Sequence, residues 1–196
     1  MKIFNHPLNI PNFLTLLRIL LIPIFVLAFY LPWSWSHITA AIVFAIACIT
    51  DWLDGYLARV LKQTSLFGAF LDPIADKLAV SISLVLLVGE NHFLYMTLPA
   101  AIIVGREIIV SGLREWMAEL GKRASVAVTY ISKTKTAMQM IAITLLVAFK
   151  AETSWLGILG YVLLYIAAIL TLWTMIAYLK LAWPELNNQK TLDREK

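Results

Sequence analysis

The chain has 196 residues, of which 61% are hydrophobic and 14% charged, and its mean hydropathy is +0.81. These values exclude an ordinary soluble domain, place the chain among polytopic membrane proteins and leave room for one domain only. The net charge of +4 raises nucleic acid as a partner, and the distribution of that charge argues against it below.

Residues 1–12 carry two prolines and read as an interfacial lead-in. From Phe13 to Leu31 the apolar run is long enough to cross a bilayer core, which takes about 20 residues. With no small-residue cleavage signature after it, the run reads as an anchor rather than a signal peptide. The turn holding Trp33 and Trp35 suits a membrane interface. A second span is expected over His37–Lys62 and a third over Gly68–Val88. A fourth should run from Leu94 to Met117, a fifth from Ser132 to Phe149 and a sixth from Trp155 to Trp183. Residues 184–196 read as a polar tail. The expected fold is therefore all-α, with six transmembrane helices, since only helices satisfy the backbone in lipid at these lengths.

With both termini in the cytoplasm, fifteen of the sixteen Lys and Arg residues fall on that side and only Lys150 lies opposite, a strong positive-inside bias. Topology plus a basic site thus accounts for the excess charge without nucleic acid. A basic cytoplasmic face also attracts anionic lipids and phosphorylated substrates. The same arrangement gathers the charged helix ends at the cytoplasmic side. These are Asp51–Lys62, Gly68–Lys77, Arg106–Glu115, and Lys133 with Lys135, and they outline a polar cavity open to the cytosol.

The chain is organised around Asp51–Asp76, which sets four Asp residues in an apolar background. Asp51 and Asp54 are three apart and Asp72 and Asp76 four apart, so each pair projects from one helix face. Gly55, Ala58 and Gly68 share those faces, where the backbones could approach closely. A charge at mid-membrane depth costs about 2.5 to 3.5 kcal/mol, so four unpaired carboxylates would cost roughly 10 kcal/mol. Arg59 and Lys77 offset part of this. An oxygen-only ligand set with no His or Cys argues against zinc and suits a hard cation, Mg²⁺ or Mn²⁺. Four carboxylates could hold two ions spaced to clamp both oxygens of a phosphoryl displacement. The lone Cys48, in an apolar run, excludes an intramolecular disulfide and reads as packing.

Asp51-x-x-Asp54-Gly55-x-x-Ala58-Arg59, eight residues, then Gly68-x-x-x-Asp72-x-x-x-Asp76 resembles the signature of the CDP-alcohol phosphotransferase family without departure. The six-helix pattern resembles that family too. The resemblance implies attack by an alcohol on the lipid-side phosphorus of a CDP-linked lipid, usually CDP-diacylglycerol, with release of CMP. It implies that Asp51, Asp54, Asp72 and Asp76 bind two metal ions and that Asp76 is also the base. It places Asp51, Gly55, Ala58, Arg59 and Gly68 at the CDP-lipid, and it allows a homodimer.

Four cations, Arg106, Arg114, Lys133 and Lys135, exceed what a neutral acceptor needs and point to a phosphorylated one. The stretches Asn9–Arg18, Gly105–Glu115 and Ser132–Met140 resemble the branch of the family that uses glycerol 3-phosphate. An internal pair between Glu107 and Arg114 competes with that role for Arg114. Asn12, Thr15 and Arg18 either touch nucleotide or cap and anchor the first helix. Lys122 and Arg123 read as solvated or lipid-facing, and His37 and His92 as loop residues on the far side. Rival readings are another acceptor, phosphatidylglycerol or inositol phosphate, a cation carrier, or a lipid-binding structural subunit. The acids cluster at one end with no polar path across the membrane, which disfavours the carrier, and a structural subunit leaves the four Asp unexplained.

Overall fold

A computed structural model describes residues 10–61, 66–90, 94–119, 130–149 and 154–192. Six helices are present among them: α1 Ile10–Tyr30, α2 Ser36–Val60, α3 Leu66–Glu90, α4 Leu94–Glu119, α5 Tyr130–Ala148 and α6 Trp155–Leu192. The all-helical expectation is met. Among the described residues, four segments are long and apolar enough to cross a membrane: Pro11–Tyr30, Ser36–Leu57, Tyr95–Glu119 and Trp155–Lys180. In α3 every 18-residue stretch carries three of Asp72, Asp76, Lys77 and Glu90. In α5 the apolar part is the shorter Thr134–Ala148.

Several boundaries differ from the expected ones. Helix α6 runs through Pro184 to Leu192, so most of the expected tail is helical; after that proline, Glu, Leu, Gln and Lys are good helix formers. Helix α3 begins at Leu66 rather than at the expected Gly68, and Pro73 lies in its interior. Its missing N–H therefore removes the bond to the Ala69 carbonyl. His37 is a helical residue of α2, and its Nε2 lies 3.3 Å from Glu90 Oε1 at the end of α3. Lys122, Arg123, Lys150 and His92 lie outside the described residues.

The chain divides into two compact units, one of Met1–His92 with Met140–Val162 and the other of Phe93–Gln139 with Leu163–Lys196. In the first, α1 packs against α2 and α3. The buried side chains of α1 recur every three or four residues: Asn12, Thr15, Arg18, Ile22, Phe25 and Phe29. This stripe is polar for two turns and apolar afterwards. The matching stripe of α2 is Ala40, Ala41, Phe44, Ala47, Thr50 and Asp54, whose alanines admit close helix packing. The register is antiparallel: Phe29 meets His37 at a centroid distance of 5.1 Å, Phe25 meets Phe44 at 5.6 Å, and Thr15 meets Asp54. The polar ends of the two stripes thus coincide. Farther along, Gly160 of α6 permits a tight approach to α5, since a Cβ there would lie 2.9 Å from Leu146 Cγ.

In the second unit, α4 and α6 share a small core of Val110, Met117 and Tyr178, flanked by Leu113, Trp116 and Met175. The Tyr165 hydroxyl donates to the Tyr95 carbonyl at 2.7 Å. Outward-facing side chains include exposed Leu27, Trp33, Trp35, Val85, Ile108 and Trp173, the surface expected of helices bathed in lipid.

Candidate metal centre and active site

Where the polar ends of α1, α2 and α3 meet, Arg18 is buried to 1% exposure. Its Nη1 lies 2.6 Å from Asp51 Oδ1 and 3.2 Å from Asp72 Oδ1, and its Nη2 contacts Asp54 Oδ2. The Thr15 hydroxyl lies 3.1 Å from the Pro11 carbonyl oxygen and 3.4 Å from Asp54 Oδ2, and its one proton serves either acceptor. Asp54 is buried, whereas Asp51 and Asp72 are about a third and a half exposed. The Asp residues do form an ion pair, with α1 rather than with Lys77, which has no ion-pair partner among the described residues.

One oxygen from each of Asp51, Asp54 and Asp72 lies within 4.8 Å of the other two. Three carboxylates against one guanidinium leave a charge of −2. Only oxygen ligands are offered, so the set fits a hard divalent cation. Asp76, one turn beyond Asp72, is half-buried and does not belong to this group of three.

The glycines divide differently from the expectation of close backbone approach. A Cβ on Gly55 would meet nothing within 4 Å, so the space beside it is open. Gly68 is half-buried in the first turn of α3. The side chains of Ala58, Arg59 and Lys133 lie outside the described residues.

In the second unit, Arg106 and Lys135 are 6% and 2% exposed. Both approach one acid, Glu107, whose Oε1 is 2.8 Å from Arg106 Nη2 and 4.0 Å from Lys135 Nζ. Two buried cations therefore share one carboxylate, leaving a positive excess. Arg106 Nε has no hydrogen-bond partner among the described residues. Gln139, one turn beyond Lys135, is buried and its Oε1 likewise has none. Arg114 is exposed, with its guanidinium 5.5 Å from the Tyr178 ring centroid, a cation–π contact. The Glu107–Arg114 pair does not form. Seven residues separate them by about 10 Å along the helix axis, and closer cations take the carboxylate.

From the sequence alone Arg18 is either a nucleotide contact or a helix anchor, and nothing in it marks Glu107 or Gln139 as site residues. The signal for Arg18 was available, since it is the one charged residue in Phe13–Leu31 and is in helical phase with Asn12 and Thr15.

Comparison with known proteins identifies the family. Residues 8–173 match the family described as CDP-alcohol phosphatidyltransferase. A Pseudomonas fluorescens protein named "CDP-diacylglycerol--glycerol-3-phosphate 3-phosphatidyltransferase" is 57% identical over 180 residues, covering 91% of this chain and 92% of that protein. Proteins of the same name from Yersinia enterocolitica and Escherichia coli K12 are 55% and 52% identical. They cover 91% and 92% of this chain, and 97% and 98% of their own lengths. With the signature residues gathered on α2 and α3 and the match running through most of the chain, this protein belongs to the CDP-alcohol phosphatidyltransferase family.

Proposed function

We propose that the chain transfers the phosphatidyl group of CDP-diacylglycerol to sn-glycerol 3-phosphate, giving phosphatidylglycerol phosphate and CMP. The observation that carries this reading is the group of Asp51, Asp54 and Asp72 oxygens within 4.8 Å of one another inside the family signature. Asp51, Asp54, Asp72 and Asp76 would hold the metal. Two Mg²⁺ or Mn²⁺ ions held there would supply charge neutralisation of the diphosphate and of the departing CMP.

The acceptor hydroxyl oxygen forms a bond to the lipid-side phosphorus as the bond from that phosphorus to the CMP oxygen breaks, and CMP leaves with the electron pair. Asp76 takes the hydroxyl proton as general base. Asp51, Gly55, Ala58, Arg59 and Gly68 line the cytidine diphosphate pocket, a role supported by the open space beside Gly55. Arg106, Arg114, Lys133 and Lys135 bind the acceptor phosphate. The excess of buried cations over Glu107 supports this, because an anionic ligand would balance it. The names of the bacterial relatives support glycerol 3-phosphate as that ligand.

The distribution of Lys and Arg supports insertion in the bacterial inner membrane with both termini and the site cytoplasmic; family resemblance supports a homodimer. The test is CMP release by purified protein in detergent with CDP-diacylglycerol and Mg²⁺ or Mn²⁺. Glycerol 3-phosphate, inositol phosphate, serine and phosphatidylglycerol would be compared as acceptors. Release that needs both metal and glycerol 3-phosphate is the expected result. Release with another acceptor alone would overturn the role given to the basic residues, and none with any acceptor would overturn the reaction.

A further inference from the structure

We infer that Arg18 is a tethered counter-cation of the acidic cluster that competes with a divalent ion for the same three carboxylates and must leave them when the ion binds. This rests on the metal reading above and adds a competitor to it.

Arg18 reaches the same three carboxylates that form the candidate metal group, contacting one oxygen of each. A dication bonded to those oxygens would sit within a few ångströms of the guanidinium, and the two positive charges would repel across a poorly hydrated site. The side chain is 1% exposed, yet its Nε has no hydrogen-bond partner among the described residues. A guanidinium fixed in a permanent structural role would be expected to use that donor as well.

The device answers a physical problem. Three carboxylates packed between apolar helices would repel one another and resist burial. Arg18 removes one unit of charge and holds the helices together until metal arrives. The cost is weaker metal binding. If Arg18 fills the cluster about nine times in ten, the apparent Kd for the ion is raised about tenfold over that of a cluster already clear.

The experiment compares full-length wild type, Arg18→Gln and Arg18→Lys in detergent. Mn²⁺ is titrated, free ion is followed by electron paramagnetic resonance, and unfolding midpoints are recorded in EDTA and in saturating Mn²⁺. Arg18→Gln should bind Mn²⁺ about tenfold more tightly, unfold earlier in EDTA, and gain more in midpoint from Mn²⁺ than wild type does. Arg18→Lys keeps a point charge without the planar fork and should fall between them, which also decides the matter if the Gln variant does not fold. Unchanged or weaker Mn²⁺ binding in the variants would overturn the inference, the weaker case showing that Arg18 organises the metal site. Wild-type CMP release would meanwhile leave the proposed reaction standing. No Mn²⁺ binding by any of the three proteins would overturn the metal reading along with it.

Discussion

Glu107 is the most informative single carboxylate in the second unit, because two buried cations depend on it. Replacing it by Gln keeps the shape and removes the charge. Breaking one side of a buried ion pair costs about 3 to 5 kcal/mol, most of it from the stranded charge. The Arg106 contact at 2.8 Å carries that cost. The Lys135 contact, at 4.0 Å, is at the limit of an ion pair and is not counted. Glu107 keeps 26% of its side chain exposed, which favours the lower end, about 3 kcal/mol. For a chain of this size that corresponds to a midpoint lowered by roughly 6 to 12 °C. The assay is thermal unfolding in detergent, followed by tryptophan fluorescence, with Glu115→Gln as the control. Glu115 is exposed, and its neutralisation should stay within about 0.5 kcal/mol. Saturating inorganic phosphate should return part of the lost stability to Glu107→Gln by replacing the missing anion. Equal midpoints for the two variants would refute the argument that Glu107 compensates buried charge.

Other substitutions probe separate parts of the structure. Asp76→Asn should abolish CMP release while keeping the unfolding midpoint near that of wild type; undiminished turnover would remove Asp76 as the base. Lys135→Ala should raise the KM for glycerol 3-phosphate more than that for CDP-diacylglycerol, and equal changes in both would count against an acceptor-phosphate role. Gly160→Ala forces a methyl against Leu146 Cγ at 2.9 Å and Leu145 Cβ at 3.2 Å, an overpacking that should cost about 1 to 3 kcal/mol. The same change at Gly55, where a Cβ meets nothing, should leave stability nearly unaltered, and unfolding measurements on the pair check both.

Much of the fold is legible in the sequence because lipid leaves the backbone few choices. Long apolar runs separated by polar turns must be helices, and their order follows from the loops. The signature acids are legible for a related reason, since Asp51, Asp54 and Asp72 have no place in such runs unless something compensates them. The compensating group is harder to read. Lys77 is close to the acids in sequence, but among the described residues the cation in place is Arg18, more than thirty residues upstream of Asp51. Sequence proximity selects neighbours along one helix, whereas the cluster is built across three. Glu107 shows the same limit: its heptad partner Arg114 is on one face with it but too far along the axis, and the adjacent Arg106 wins. Pro73 illustrates a boundary effect, its place in the helix depending on two turns of α3 that precede it.

The departure of α3 from the composition of a membrane span bears on how the first unit is held together. Its Asp72, Asp76 and Lys77 would each cost about 2.5 to 3.5 kcal/mol at mid-membrane depth, so the helix is a poor candidate to enter lipid by its apolar residues alone. Docked, Asp72 lies 3.2 Å from Arg18 Nη1, and α3 packs on α1. Arg18 has the reciprocal problem, being a lone guanidinium in an otherwise apolar span that needs the acids of α2 and α3. Helix α1 carries no acid and Lys77 of α3 has no ion-pair partner among the described residues, so Arg18 and Asp72 each lower the insertion cost of the other's helix, and the register that aligns the polar ends of α1 and α2 follows from that need. The residues that make the site reactive therefore also specify how the helices around it assemble.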